Sequence, residues 1–209
     1  TEVITDPTTP KIKEIERKGL ATGLKLLRAQ VRHLGTEHNL EIMKSIYDEL
    51  QNKIEMRFKT EVKEVLVENK KVTGVKLTDG TILKAKYVFV AAGREGANWL
   101  HKIAKANKLK ITNNQIDIGV RVETNDLIME EINENLYEGK FVFNTTVGTS
   151  VRTFCSNPSG HVVVENHGGT VLANGHAYNN PELGSTNTNF ALLVSHHFNE
   201  PFSNPHQYG

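Results

Sequence analysis

The chain has 209 residues, enough to bury a real core as one large domain or two small ones, and its 25 Lys and Arg balance 24 Asp and Glu. That balance leaves no global field to recruit nucleic acid or an acidic membrane surface. The longest apolar runs, residues 87–92 and 190–194, are too short to cross a bilayer, and no charged-then-apolar secretory start follows Thr1, so a cytoplasmic location is expected. Cys155 is the single cysteine, which excludes an intrachain disulfide and suits a reducing compartment.

After the turn-prone Asp6-Pro7-Thr8-Thr9-Pro10, the residues Ile12, Ile15, Gly19, Leu20, Gly23, Leu24 and Leu27 recur at helical spacing and predict a helix over residues 11–29. Lys11, Lys13, Arg17 and Lys18 read as its solvated face or as a phosphate-tracking surface. A second helix is predicted over residues 37–53: Thr36 suits an N-cap, Glu37 favours the positive end of the dipole, and Leu40, Met43, Tyr47, Leu50 and Ile54 form one apolar stripe. Its start, after Arg32-His33-Leu34-Gly35, reads either as an anion seat or as a capped turn with an exposed His33.

From Glu55 the apolar period changes to two. Val62, Val65 and Val67, then Val72, Val75 and Leu77, then Ile82 predict a three-strand meander with turns at Asn69-Lys70 and Asp79-Gly80. Tyr87-Val88-Phe89-Val90 follows as a continuous apolar run, the pattern of an inner strand of a sheet buried on both faces. Ala91-Ala92-Gly93 then strips side-chain bulk from its carboxyl end, where ligands dock in α/β sheets. A plain tight turn needing Gly93 for positive φ fits the same residues. Past Gly96, Ala97, Leu100, Ile103 and Ala104 make the inner face of a further helix, and Trp99 reads as core packing or as a ligand edge.

The second half is β-rich. Residues 116–123 alternate as a strand, residues 125–135 suit a short acidic helix, and residues 141–146, 151–155, 161–165, 170–173 and 190–194 read as strands. Residues 179–189 read as a polar loop. On a strand, His161, Glu165 and His167 share one face and could offer a metal two nitrogens and an oxygen, or simply stand at the surface. Cys155, with Arg152 near it in sequence, reads as a thiolate-prone nucleophile or as an inert buried thiol. Gly-x-Ser-x-Gly, the dinucleotide fingerprint and the P-loop are all absent.

In succession, Val31-Arg32-His33-Leu34-Gly35-Thr36, Gly74-Val75-Lys76-Leu77-Thr78-Asp79-Gly80 with residues 87–99, Ile118-Gly119-Val120-Arg121-Val122-Glu123, Phe154-Cys155 before Pro158 and Gly160, and Asn174-Gly175 resemble the uncharacterised FAD-dependent, or NAD(FAD)-utilising, dehydrogenases of bacteria. That family looks like a branch of the glutathione-reductase-like and aromatic-hydroxylase-like flavoproteins. The resemblance covers residue 20 to the end, and its specificity lies in the order of the motifs. It implies that Ala91-Ala92-Gly93-Arg94 is the strand end beside FAD. The family often carries Cys-x-Cys-Pro-Gly-Gly where this chain has Cys155-Ser156-Asn157-Pro158-Ser159-Gly160, so a redox step needing the second Cys would be lost.

These readings imply a mixed α+β fold, with a β-meander and partial FAD-domain sheet plus a β-rich substrate or cap domain. The expected divisions are a helical segment over residues 1–54, the meander and part of the FAD-binding domain over 55–93, the substrate or cap domain over 94–200, and a linker over 201–209. The start at Thr1 without Met and the end at Gly209 suggest an internal fragment whose glycine-rich phosphate-binding turn lies upstream. The resemblance implies a FAD-dependent oxidoreductase acting on a small substrate, with a nicotinamide cofactor or another electron partner. His33, Thr36, Val62, Ala92, Gly93 and Arg94 are the expected cofactor-side residues, Arg121 and Cys155 the substrate-side ones. The other reading is a non-catalytic α+β binding or structural domain.

Overall fold

The computed structural model describes residues 8–28, 38–112, 114–167 and 169–198, which form mixed α+β structure in two compact units with no closed barrel. The predicted helix over 37–53 begins partly outside these residues, and its N-cap Thr36 lies wholly outside.

The first unit comprises the chain up to Lys44 together with Asn114–Asn199. Its α1 helix, Pro10–Ala21, starts where the Thr9 hydroxyl accepts the Ile12 N–H and Pro10 occupies the first turn. It is shorter than the periodicity predicts. Gly23 adopts φ +83°, which turns the chain back, and the following Leu24–Leu26 becomes strand β1 instead of a further helical turn. β1 belongs to a five-stranded antiparallel sheet with β5 (Gln115–Asn125), β6 (Phe141–Asn144), β7 (Ser150–Asn157) and β10 (Asn187–His197), in the order β1-β6-β7-β10-β5. β8 (His161–His167) and β9 (Thr170–His176) form a separate hairpin. The residues predicted as a polar loop over 179–189 divide between a 3-10 turn, Pro181–Leu183, and the first three residues of β10.

Ile12 and Ile15 of α1, Leu26, Leu136 and Phe141 make the buried core of this unit, with Leu24 and Ile132 against it. Each such side chain contributes roughly 1.5–3 kcal/mol by leaving water. Two of the α1 lysines are paired, Lys11 and Lys18 both reaching Glu131 as well as Glu14, so this is a solvated face carrying ion pairs. Glu131 lies on α4, Asp126–Asn133, whose N-cap Asn125 accepts the Leu127 N–H.

Among the described residues the second unit spans residues 45–112, and α2 (Asn39–Leu50) enters it. The meander is as predicted, with β2 (Val62–Glu68), β3 (Lys71–Leu77) and β4 (Ile82–Lys84) in that order. Asn69 and Lys70 take φ +49° and +64°, the two left-handed positions of a tight hairpin turn. Helix α3, Ala97–Ala106, follows Gly96.

One expectation fails here. Tyr87–Val90 is not a strand among the described residues: it has no ladder partner, and Tyr87 and Phe89 are 71 % and 95 % exposed. An extended segment becomes a strand only when a neighbour takes up its N–H and C=O groups, and no described segment does so. The α2 stripe is likewise exposed at Leu40, Met43 and Tyr47, and Leu77 is the only buried apolar side chain among the described residues of this unit.

Candidate functional site

The ladders of the five-stranded sheet bring Arg121, Cys155, Asn157 and Asn189 together. Asn189 on β10 stands opposite Asn157 on β7, and Arg121 on β5 is opposite Ala191, two residues along β10. Between Asn189 and Ala191 the pairing shifts, because β7 carries one extra residue there. The bulge contains Cys155 in the left-handed region at φ +51°, a conformation that non-glycine residues hold only when their surroundings impose it.

Those surroundings are polar side chains. The Cys155 N–H donates to Glu138 Oε1 at 2.7 Å, and its carbonyl accepts from Arg121 Nη2 and from Asn157 Nδ2, each at 2.8 Å. Arg121 Nε and Nη2 also donate to Asn189 Oδ1 at 2.9 and 2.6 Å. Asn157 Nδ2 lies 3.7 Å from Cys155 Sγ and 3.5 Å from Asn189 Oδ1. Gly175 of β9 closes the cluster: a Cβ there would overlap Arg121 Nη2, Asn157 Nδ2 and Asn189 Oδ1. Beside it, burial and then the nearby Cys155 and Glu138 push the Tyr137 phenol up to about 12, so it stays neutral and protonated.

The neighbouring residue on β10, Thr188, faces the other way and organises a second junction. Its hydroxyl donates to Asp126 Oδ1 at 2.5 Å and accepts from Asn133 Nδ2 at 2.7 Å. Ser159, held at φ +48°, donates its N–H and its hydroxyl to Asp126 as well. Burial works to raise the Asp126 carboxyl, but these three hydrogen bonds outweigh it and hold the group below the ordinary carboxylate value. A depressed folded value contributes stability that is fully present above the unfolded value near 3.9 and is lost as pH falls from there through the folded value. Asp126→Asn is therefore expected to flatten the acid limb of a thermal-unfolding profile below about pH 4, and an unchanged limb contradicts this. Asp126, Leu127, Glu130, Asn133 and Pro158 line a shallow cleft beside the junction.

Among the expected residues, Arg121 and Cys155 are directly hydrogen-bonded in one cluster. Ala92, Gly93 and Arg94 lie in the turn entering α3, where Ala92 and Arg94 accept from Gly96 and Ala97 through their carbonyls. Gly93 has φ +61°, and a Cβ placed on it would meet no heavy atom within 4 Å. Val62 opens β2 opposite Leu77. The tie between α3 and β2 runs through Trp99, whose indole N–H donates to the Lys63 carbonyl at 2.9 Å. Trp99→Phe is thus expected to cost about 1 kcal/mol in denaturant unfolding, and an unchanged midpoint and slope would argue against the bond. His33 and Thr36 lie outside the described residues.

Of the suggested metal ligands, His167 bonds Glu165 at 3.0 Å while His161 instead meets the Leu183 carbonyl at 3.0 Å. Among the described residues no three His, Cys, Asp or Glu side chains come together as a metal cage. No described helix is long and apolar enough to cross a membrane. Sequence reasoning missed Glu138 and Asn189. Asn189 sat in what read as a loop, and nothing in its spacing announces a fully buried amide.

No curated protein matches the chain. Residues 19–128, running from the end of α1 through the meander, the Gly93 turn and β5 into α4, match the family model for pyridine nucleotide-disulphide oxidoreductases, a family that binds FAD and NAD(P). That match spans more than half of the sequence, and the chain belongs to the pyridine nucleotide-disulphide oxidoreductase family.

Proposed function

We propose that this chain is an internal part of a FAD-dependent dehydrogenase that acts on a small substrate, with a nicotinamide cofactor or another electron partner. The observation that carries the reading is the run Tyr87–Ala92: an apolar strand sequence with no ladder, ending at the open turn of Gly93. Its composition is that of a strand enclosed on both faces, so its partners belong to a sheet that the described residues do not contain. The family match across the same residues supports that sheet being a flavin-binding one.

In this reading residues 55–93 form the cofactor side and 94–200 mainly the substrate or cap side, with a helical segment over 1–54 and a linker over 201–209. Ala92, Gly93 and Arg94 fit a cofactor edge, because the turn presents backbone and free space where a flat ring or ribose must approach closely. Val62, at the start of β2, is assigned to the cofactor side, as are His33 and Thr36 from the resemblance, and Arg121 and Cys155 serve the substrate. FAD, when bound, supplies the hydride or electron chemistry, and the protein supplies position and electrostatics. The sequence has no Gly-x-Gly turn to seat a pyrophosphate, so the full-length parent is the species that retains the flavin.

The test is flavin content in the full-length parent. Yellow protein, or protein that takes up added FAD, is expected; a colourless preparation that also refuses FAD overturns the proposal. Gly93→Val in that parent is expected to lower flavin per folded molecule several-fold while circular dichroism stays near wild type. Unchanged flavin content per folded molecule would remove Gly93 from the cofactor edge.

A further inference from the structure

Asn174-Gly175 is the one Asn-Gly pair in the sequence. It lies on β9, in the hairpin separate from the five-stranded sheet, and both residues are half-buried, so water reaches them. The Asn174 side chain folds back along its own strand, where its Oδ1 accepts the Gly175 N–H at 2.8 Å. That hydrogen bond closes a ring over Gly175 N and the C, Cα, Cβ and Cγ of Asn174, the atoms that a succinimide contains. Nucleophile and electrophile of an intramolecular displacement are thereby already held together. Glycine also leaves the approach of its nitrogen free of a side chain.

The other end of the same amide meets a carboxylate. Asn174 stands opposite Val163 across the hairpin, and Glu165, two residues along β8, shares its face. Asn174 Nδ2 donates to Glu165 Oε1 at 2.6 Å, and Glu165 Oε2 accepts from His167 Nε2 at 3.0 Å, which fixes the carboxylate in place. A carboxyl group within hydrogen-bond reach of a departing nitrogen is positioned to bring it a proton. The first contact concerns the bond that would form, the second the bond that would break.

We propose that Asn174-Gly175 is a self-modification site, at which the folded chain converts Asn174 into a succinimide and then into aspartate or isoaspartate, with Glu165 carrying the proton to the departing ammonia. The bond formed joins Gly175 N to Asn174 Cγ, and the bond broken is Asn174 Cγ–Nδ2. Gly175 N gives its proton to solvent, Glu165 relays one solvent proton to Nδ2 and ends again as the carboxylate, and ammonia departs. Water then opens the ring at either carbonyl. Nothing is oxidised or reduced, and water is the only co-reactant.

The product bears on the Arg121 cluster. Gly175 packs there so closely that a Cβ on it would overlap Arg121 Nη2, Asn157 Nδ2 and Asn189 Oδ1. Isoaspartate threads the Asn174 Cβ into the main chain and lengthens the strand just before Gly175. Aspartate sets a second carboxylate where Glu165 had received a donor. Either product loosens the hairpin from the guanidinium, and the reaction itself needs no flavin.

The experiment incubates the 209-residue chain at neutral pH and follows the peptide carrying Asn174 by mass spectrometry, for loss of ammonia and then gain of water, with free ammonia assayed in parallel. The reference is the same chain unfolded in guanidinium chloride, where the Asn-Gly pair reacts without the help of the fold. The folded chain is expected to react faster than the unfolded one by about tenfold or more, and Glu165→Gln is expected to remove that advantage. Asn174→Gln is expected to silence the signal, which assigns it to this position. A folded chain that reacts no faster than the unfolded one overturns the proposal, because the strand then protects the amide. A folded Glu165→Gln that keeps the wild-type rate overturns it as well. Should Glu165→Gln fail to fold, the comparison of folded with unfolded wild type decides alone.

Discussion

Gly175→Ala is expected to lower the thermal midpoint by about 6–12 °C, the equivalent of about 3 kcal/mol for a chain of this size. The added Cβ would occupy the volume of Arg121 Nη2 and overlap the amide groups of Asn157 and Asn189. Side-chain ends can move where backbone cannot, so the strand survives and the guanidinium is the group that leaves. Its departure strands Asn189 Oδ1 in a fully buried position and removes one of the two side-chain donors holding the Cys155 carbonyl. Arg121→Ala produces the same loss by deletion. The two substitutions together are therefore expected to cost clearly less than the sum of the two alone, with a coupling of about 1–2 kcal/mol. Strict additivity in denaturant unfolding would show that Gly175 serves something other than the guanidinium.

Gly119→Ala is expected to be at least as damaging, by about 3 kcal/mol or more, for a different reason. Gly119 pairs with Leu193 across the β5–β10 ladder, and a Cβ on it would overlap the Leu192 carbonyl, which is backbone. No rotamer change relieves that contact, so the two strands must part locally. Arg121 variants should leave this cost untouched, since the obstruction is not the guanidinium. Hydrogen exchange would locate the effect: faster exchange is expected along β5 and β10, with β2 and β3 unchanged. Normal protection of β5 and β10 in the variant would refute the assignment.

The parts of the fold legible in the sequence are those specified locally. The meander was readable because its turns are made by adjacent residues, Asn69-Lys70 with two left-handed conformations and Asp79-Gly80 with the Asp79 carboxylate capping the Thr81 N–H. Helix α4 was readable because its cap precedes it by one residue. Failures came where distant partners decide. Leu24 and Leu27 continue a helical period, yet Phe143 claims Leu24 for a sheet, and Phe141 its neighbour Leu26, once Gly23 turns the chain. Tyr87–Val90 carries the composition of an enclosed strand and stays unpaired, because composition states a need for neighbours without providing them.

The site divides in the same way. Arg121 and Cys155 were singled out by the sequence reading, and the sheet joins them through a single 2.8 Å bond. Their dependence on Asn189, Glu138 and Gly175 was not readable, since it follows from the ladder of β10 between β7 and β5 and from a hairpin strand lying against it. Asn157 was noticed only as a departure from a family pattern, whereas in space its amide is what approaches the Cys155 sulfur.

Thr188 and Asn189 are consecutive, both entirely buried, and their hydrogen bonds lie on opposite faces of the sheet. Were β10 to slide by one residue, Asn189 would leave the Arg121 guanidinium, and its place would pass in one direction to the shorter Thr188 hydroxyl and in the other to the apolar Phe190 ring. An apolar strand of this length could trade one alignment for another at little cost, because a Val or a Leu serves either way. Here two adjacent polar residues act as a key cut on both edges, so β10 can dock in only one alignment and the misaligned, aggregation-prone alternatives are denied to it.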